Sequence, residues 1–264
     1  MAERKSPVSK STAVANWDEE LAKQAEIAAN MEANSGGGQF FGLKSGILTW
    51  QDAPLPGNQM AVVIVDSILE NVYYEGKFDP EQIQSPGCFA FGRDEDSMEP
   101  HEKAQDKKCG QCKGCPNNEW GSADVGRGKA CRNVRRLAMI PAGKFNKQGQ
   151  FEMFEDVEDF EGSTIGFMKL PVTSVKGYAS FVKQLAGTLR RPPHGVITLV
   201  RVVPDAKSQF KVLFEPITTV PNEFITAVMA RNNEAKSIID FPYSPTEDDA
   251  RPKKSSKAKQ PRKY

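Results

Sequence analysis

The sequence predicts a mainly β fold of the α+β kind, a small closed barrel with helices at its periphery. Three observations support this. The 264 residues are 39% hydrophobic, which is enough to bury a core. At least five short runs are rich in β-branched and aromatic residues. One strongly amphipathic helix interrupts these runs before the last two of them.

Residues 1–35 are predicted to form a flexible N-terminus that carries one peripheral helix. The first 15 residues are rich in Ser and Lys and have no hydrophobic periodicity, which is typical of disorder. Residues 17–33 are rich in helix formers and have a narrow apolar stripe. The glycine run in "NSGGGQ" ends that helix, and a strand region follows it.

The central part of the chain reads as a series of strands. Residues 60–78 contain two apolar runs around the polar pair Glu70 and Asn71, which predicts either two consecutive strands or one sharply bent strand. Further strands are predicted within residues 87–92, 134–145, 150–157 and 163–172.

One strong helix and a closing hairpin follow. With Thr173 and Ser174 as its N-cap, the helix runs to Gly187. Its apolar side comprises Val175, Tyr178, Phe181, Val182 and Leu185. Residues 194–204 and 208–217 are predicted to pair as a hairpin.

A last helix is predicted to start at Asn222 and to run to residue 240, and residues 241–264 are predicted to be a disordered basic tail. A helix placed before the last pair of strands suits a barrel of the oligonucleotide-binding (OB) type over residues 36–240. A β-sandwich with the same number of strands fits the same pattern.

The five cysteines are the most informative feature. Four of them lie within 23 residues, in a C-x2-C-x2-C run from Cys109 to Cys115 followed by Cys131. Such clustering predicts thiolates collected for a metal in a reducing, intracellular compartment rather than a disulfide framework. Zinc is the expected ion, held in an insertion at about residues 86–136.

Five thiols exceed the four positions of a tetrahedral site, so the ligand set stays open. We favour Cys88, Cys112, Cys115 and Cys131, with Cys109 left over. Cys109 in place of Cys88 is the rival set, and His101 could also replace Cys88. An iron–sulfur cluster is the alternative cofactor, because C-x2-C-x2-C opens the ligand run of bacterial ferredoxins. A Lys-rich surround favours zinc.

Basic residues surround the cysteines. Residues 101–136 contain nine Lys or Arg against four Asp or Glu, and residues 245–264 contain seven against three. Such local charge predicts a polyanion as partner. The candidate cationic contacts are Lys113, Arg127, Lys129, Arg132, Arg135, Arg136 and Lys176. On a strand, Arg132 and Arg136 share one side and Arg135 takes the other.

Aromatic residues near the cysteines are candidates for stacking on bases. Trp120 lies in a polar turn with little local core to fill, although it could instead cover the metal. One of the adjacent Tyr73 and Tyr74 must point outward and could form a platform with Phe89 and Phe91.

Two segments, "CKGCPNNEWGSADVGRGKACRNVRRLAMIP" and "LPVTSVKGYASFVKQLAG", carry a resemblance to a family of tailed-phage and mobile-element proteins. In that family a Cys-Pro-Asn turn leads to Trp-Gly-Ser and then to Gly-Lys-Ala-Cys, and members are described as single-stranded DNA-binding. The resemblance spans residues 36–220. The layout is also similar to phage replication single-strand binding proteins with a zinc subdomain inserted in an OB barrel. Those proteins end in an acidic tail, whereas this chain ends in "RPKKSSKAKQPRKY".

The resemblance implies a DNA replication or recombination protein of a bacteriophage, acting on single-stranded DNA with partner proteins in the bacterial cytoplasm. No enzyme is expected, because the sequence has no P-loop, GxSxG or HExxH motif. Neither a membrane span nor a secretory signal is expected. The alternatives are an iron–sulfur or cysteine-cluster nuclease, and a zinc-ribbon regulator that binds duplex DNA or a polymerase.

Overall fold

The structure is a computed structural model that describes residues 21, 24, 39–76 and 84–243. The chain divides into two compact units, residues 1–38 and 39–264. In the first unit Leu21 and Gln24 are helical, and the rest of the predicted helix and flexible N-terminus lies outside the described residues. The account that follows concerns the second unit.

The second unit is mainly β, as the sequence predicts. Its strands are β1 Phe40–Gly42, β2 Thr49–Trp50, β3 Ala53–Pro54, β4 Gln59–Tyr73, β5 Cys88–Gly92, β6 Arg132–Pro141, β7 Gly143–Phe145, β8 Phe151–Met153, β9 Gly166–Leu170, β10 Val196–Asp205 and β11 Gln209–Thr219. Its α-helices are α1 Val157–Glu161, α2 Val172–Gln184 and α3 Asn222–Ile238.

Nine of the described strands form one sheet that curls into a half-barrel. The strand order is β11-β10-β4-β6-β9-β1-β2-β3, with β5 also paired to β4. Among these pairs β1 with β9 is parallel, and the others are antiparallel. Strands β7 and β8 form a separate hairpin. The curled sheet is compatible with a barrel.

Strand β4 organises the sheet. Of the two predictions for residues 60–78, the single bent strand is the one observed. Its register with β6 shifts between Ile64 and Asp66. Residues 59–63 pair with β10, and residues 69–73 pair with β5 on the same edge. A bulge bends a strand and increases its twist, which lets one strand serve both ends of the curled sheet.

Both faces of the sheet are buried. Ala61, Val63 and Val65 of β4 point into a core that also holds Phe224 and Val228 of α3. The alternate residues of β4 point into a second core, covered by Tyr178 and Phe181 of α2 and by Leu185 just after it. Burial on both sides explains why residues 60–65 of β4 form a continuous apolar run rather than an alternating one.

The predicted apolar side of α2 is confirmed, but both of its predicted ends are wrong. Tyr178, Phe181 and Leu185 are buried, and Val175 and Val182 pack against the same core. The helix begins after Pro171 without a side-chain cap. The Ser174 hydroxyl instead accepts a hydrogen bond of 3.0 Å from the Val212 N–H of β11.

The helix also does not stop at Gly187. It continues into a π-helical turn, Leu185–Leu189, which ends where Arg190 adopts a left-handed backbone with a φ of 51°. In a π-helical turn the backbone hydrogen bonds span five residues instead of four. The helix therefore continues past Gly187 in this form.

The C-terminal half of the fold follows the prediction closely. The hairpin of β10 and β11 and the helix that starts at Asn222 are both confirmed. The predicted start of a disordered tail at residue 241 is wrong, because Phe241 and Tyr243 pack on the sheet. The Phe241 ring lies 5.0 Å from the Phe167 ring, and the Tyr243 hydroxyl bonds the Glu70 carboxylate. Residues 244–264 lie outside the described residues.

Two predicted strands are shorter than expected. Residues 134–145 divide into β6 and β7, and within residues 150–157 the strand is confined to Phe151–Met153. The six carboxylates of residues 151–162 are all exposed, as a solvated acidic surface requires. In the described ranges no helix is long and apolar enough to cross a membrane.

Candidate metal centre and nucleic-acid interface

The cysteines lie at one end of the sheet, in and beside the segment that joins β5 to β6. We call residues 93–131 the cysteine loop. Cys88 opens β5 opposite Tyr73 of β4, and Cys131 directly precedes β6. Cys109, Cys112 and Cys115 lie within the loop, and Pro116 begins a short 3-10 turn after them. Strand β5 therefore supplies Cys88, the end of the loop at β6 supplies Cys131, and the middle of the loop brings the other three cysteines to them.

All five cysteines line one small cavity of about 20 Å³. That volume is room for roughly one atom or ion the size of a water molecule. The remaining lining residues are Asn71, Tyr73, Phe89, Ala90, Lys108, Asn117 and Asn118. The fold thus gathers every thiol that the sequence marks as a candidate ligand, including Cys88 from a distant strand.

Backbone hydrogen bonds hold the loop over the cavity. The Cys112 N–H donates to Met98 O at 2.8 Å, and the Cys131 N–H donates to Asn117 O at 2.7 Å. The buried Asn118 side chain donates to Cys112 O at 3.0 Å. These bonds fix the backbone on either side of Cys112 and Cys131, and so they hold the two thiols in place at the cavity.

The thiols resist ionisation in this cavity. Burial, together with the neighbouring sulfurs, raises the pKa of Cys109 and of Cys131 to about 12. The pKa values of Cys88 and Cys112 are also raised, again chiefly by burial. Several thiolates in one small space repel each other, so they require a cation to become stable together.

Two neighbouring groups favour the thiolate forms. The backbone N–H of Lys108 hydrogen-bonds the Cys88 sulfur and opposes the effect of burial on its pKa. The Asn71 side chain likewise opposes the effect of burial on the pKa of Cys112. Asn71 is 95% buried and lines the cavity with Cys112, and within the described part of the chain its Nδ2 has no hydrogen-bond partner. Donors of this kind orient metal-bound thiolates.

The donor set fits a thiolate-bound ion, because buried cysteines clustered in four or more are the ligands that zinc prefers. Across residues 39–76 and 84–243, however, no three His, Cys, Asp or Glu side chains stand in the arrangement of metal ligands. Cys109 and Cys131 each lie close enough to Cys88, Cys112 and Cys115 to interact with all three electrostatically. Those three thiols are therefore central, and the choice of fourth ligand stays open.

His101 is held away from the cavity. Its ring stacks on Phe89 with centroids 5.1 Å apart, and its Nδ1 accepts a hydrogen bond of 3.1 Å from the Lys103 N–H. It is not among the residues that line the cavity. In this conformation the imidazole packs the cysteine loop against Phe89 of β5.

Trp120 projects from the cysteine loop into solvent, with 79% of its surface exposed. The Lys129 Nζ lies 5.8 Å from the centre of its ring. Arg127 and Val125 nearby are also exposed. Trp120 does not line the cavity, so it is placed as a surface group rather than as a cover over the metal site.

The other predicted cations have different surroundings. Lys113 is exposed and pairs with Asp96 at 2.9 Å. The exposed Arg132 lies 5.8 Å above the Tyr74 ring, and Lys176 is exposed on α2. The half-buried Arg135 lies 5.9 Å from the Tyr178 ring, and its Nε has no hydrogen-bond partner among the described residues.

Arg136 is a correction to the prediction, because it belongs to the core. It is 1% exposed, and its Nε bonds the completely buried Glu70 at 3.0 Å. Its guanidinium lies 4.4 Å from the Phe91 ring and 4.3 Å from the Phe241 ring. A side chain enclosed in this way has no surface left for a DNA strand.

The predicted aromatic platform also needs correction. Phe89 is 3% exposed, and Phe91 lies against Arg136, so neither ring offers a free face to a base. Tyr73 lines the thiol cavity, and the Lys108 Nζ lies 5.3 Å from its ring. Tyr74 takes the opposite side of the sheet, beside Arg132 and Lys169.

Residues 241–243, which we call the C-terminal strap, complete the rear of the site and were missed from the sequence. Tyr243 accepts a hydrogen bond of 2.6 Å from the Lys169 Nζ and donates to Glu70. Burial and the Glu70 charge together raise the pKa of Tyr243, which stays protonated. The sequence held one signal of this network, namely the charged Glu70 placed between the apolar residues Ile68, Leu69 and Val72 of β4.

Comparison of the chain with known proteins finds no matching family model, no matching curated protein and no matching solved structure.

Proposed function

We propose that this chain is a non-catalytic single-stranded DNA-binding protein, built on an OB-type barrel with a structural zinc loop. It would act in bacteriophage-type DNA replication or recombination, in the cytoplasm of the bacterial host. The observation that supports the proposal is the exposed Trp120, which lies beside Lys129 on the loop whose cysteines line the thiol cavity.

The role of zinc in the proposal is structural. The cysteine loop is polar and buries little apolar surface of its own, so a metal is the expected source of its stability. Cys88, Cys112, Cys115 and Cys131 would hold the ion, with the Asn71 side chain and the Lys108 backbone as hydrogen-bond donors to the sulfurs. A cavity of about 20 Å³ suits one ion better than the four irons and four sulfides of a cubane.

The exposed side chains of the loop supply what a single strand requires. Binding without base specificity combines cations for the phosphates with aromatic faces for the bases. Trp120 offers a free indole face, and Arg127, Lys129 and Arg132 lie on the loop or where it joins β6. Duplex DNA keeps its bases stacked inside, so an exposed indole on a loop favours a single strand as the partner.

We expect replacement of Trp120 by Ala to weaken single-stranded DNA binding by about 1–3 kcal/mol, the usual contribution of one base–aromatic stack. Fluorescence anisotropy of a labelled oligonucleotide, read at two salt concentrations, measures the change. Val125→Ala is the matched control, since Val125 is 86% exposed on the same loop and has no aromatic face. Equal affinity of the Trp120→Ala and Val125→Ala proteins would remove the stacking role.

Competition between oligonucleotides tests the class of partner. Unlabelled single strands are expected to displace the labelled strand at much lower concentration than a duplex of the same length. Preferential displacement by the duplex would instead support a zinc-ribbon regulator of duplex DNA. Absence of binding at low salt would end the proposal.

Removal of residues 244–264 is expected to weaken binding and to reduce its dependence on salt, while the preference for single strands remains. The segment 245–264 carries seven Lys or Arg, and each cation that contacts a phosphate steepens the salt dependence of binding. Truncation after Tyr243 spares the bond from that residue to Glu70. The measurement is the slope of log affinity against log salt, and an unchanged slope would show that the segment stays off the DNA.

A further inference from the structure

The side of the sheet that the C-terminal strap covers carries more positive than negative charge. Arg136 and Lys169 both pair with Glu70, at 3.0 and 3.4 Å. Arg132 takes the same side of β6 as Arg136, four residues earlier. Within the described part of the chain Arg132 forms no ion pair, and Glu70 is the only acidic group that pairs with Arg136 or Lys169. Three positive charges against one negative leave an excess of two, which favours an anion as ligand.

Two of these cations lie at the ring of Tyr74. The Arg132 guanidinium is 5.8 Å and the Lys169 Nζ is 5.7 Å from the centre of the ring. Tyr74 is half-buried, Arg132 is exposed, and the Lys169 side chain is 31% exposed. A ligand from solvent can therefore reach the guanidinium and the accessible part of Tyr74.

The Lys169 ammonium determines how the Tyr74 hydroxyl can bond. The Lys169 Nζ donates to the Tyr243 hydroxyl at 2.6 Å and to the Tyr74 hydroxyl at 3.4 Å. An ammonium has no acceptor, so the Tyr74 oxygen accepts from it and keeps its own O–H to donate. Among the described residues no group accepts that O–H, and none accepts the N–H groups of Arg132. Two unused donors thus lie beside a fixed cation.

We propose that Arg132 and Tyr74 bind a phosphate group, with Lys169 beside them as a fixed positive charge. A guanidinium presents paired N–H groups that match two phosphate oxygens, and a hydroxyl can donate to a third. Glu70 is completely buried, so the phosphate stays clear of its carboxylate. The inference rests on the proposed function in one respect, namely that the phosphate belongs to a DNA strand.

The phosphate site adjoins the cysteine loop. Arg132 directly follows Cys131, which is one of the proposed zinc ligands. The Cys131 N–H donates to Asn117 O at 2.7 Å, three residues before Trp120. The end of the loop that positions Arg132 is therefore tied to the segment that leads to Trp120. The site extends the DNA contact of the loop onto the strap side of the sheet.

The first measurement needs no DNA. Inorganic phosphate is added to the full chain at constant ionic strength, with chloride as the control anion, and the backbone amide signals are followed by NMR. We expect phosphate to shift the signals of Tyr74, Arg132 and Lys169 more than chloride does, and Arg132→Gln to abolish the difference. Equal shifts with the two anions, or shifts that persist in the Arg132→Gln protein, would overturn the inference.

The second measurement uses single-stranded DNA and separates charge from hydrogen bonding. Arg132→Gln removes a cation that contacts a phosphate, so the slope of log affinity against log salt is expected to become shallower by about 0.7. Tyr74→Phe keeps the ring and removes the hydroxyl, so affinity is expected to fall about tenfold with an unchanged slope. Lys207→Gln is the matched control, because Lys207 is exposed in the turn between β10 and β11. That turn lies beyond Gln59, at the opposite end of β4 from Tyr74.

The outcomes distinguish the phosphate site from the proposed function. If Arg132→Gln changed the slope no more than Lys207→Gln does, or if Tyr74→Phe left the affinity unchanged, the site would be wrong although the chain binds DNA. A wild-type chain that binds inorganic phosphate at these residues but does not bind single-stranded DNA would contradict the proposed function and still confirm the phosphate site.

Discussion

Replacement of Cys115 by Ser is expected to release zinc and to abolish the binding of single-stranded DNA. Cys115 is buried and lies beside Cys88, Cys109, Cys112 and Cys131. A serine hydroxyl does not ionise at neutral pH and binds zinc weakly, so the site would keep three good ligands. Changes to groups that only support the ligands already reduce metal affinity by about 10–100-fold, and loss of a ligand should exceed that.

The readouts are zinc per chain by elemental analysis and DNA affinity by anisotropy. Cys109→Ser is the matched control, because it removes a thiol from the same cavity that we do not expect to bind the ion. If the Cys115→Ser protein retained full zinc, or if Cys109→Ser lost as much zinc as Cys115→Ser, the proposed ligand set would be incorrect. The sheet should stay folded in both variants, since its two cores lie apart from the loop.

Replacement of Arg136 by Met is expected to lower the free energy of unfolding by about 3–5 kcal/mol, the range for breaking one partner of a buried ion pair. Among the described residues, the change would leave the completely buried Glu70 with Lys169 at 3.4 Å as its remaining counter-charge. It would also remove the two hydrogen bonds that Arg136 donates to Ile239 O and Phe241 O, at 3.0 and 2.9 Å. The C-terminal strap would then be held to the sheet by its ring contacts and by the Tyr243 hydroxyl alone.

Urea unfolding followed by circular dichroism measures this change. Arg201→Met is the control, because Arg201 pairs with Glu215 at the surface, with both side chains more than a third exposed. Exposed pairs contribute about 0–1 kcal/mol, so the control should unfold almost as the wild type does. Similar losses in the two variants would mean that burial of Glu70 and Arg136 does not govern stability.

Local patterns predicted those parts of the fold that depend on neighbouring residues. Two consecutive runs rich in β-branched and aromatic residues predicted the hairpin of β10 and β11, and helical periodicity predicted the buried side of α2. The ends of α2 were not predictable in the same way. Ser174 is a good capping residue in isolation. Its hydroxyl instead accepts a hydrogen bond from the Val212 N–H of β11, which lies 38 residues further along the chain.

Part of the site could be predicted and part could not. The spacing of the cysteines predicted a cluster, and the fold brings all five to one cavity. The alternation in β6 correctly separated Arg136 from Arg135, but it could not say which side would be covered. The C-terminal strap decides this, because Phe241 and Tyr243 close over Arg136, whereas Arg135 on the other side lies against Tyr178 of α2.

The sequence by itself determined the mainly β character of the protein, the identity of its two long helices and the set of thiols available for a metal. These features depend on residue type and spacing, which are local properties. Only the tertiary structure decided that Arg136 and Phe89 are buried and that Trp120 is exposed. Exposure depends on which distant segment packs over a residue, and for Arg136 that segment lies more than a hundred residues along the chain.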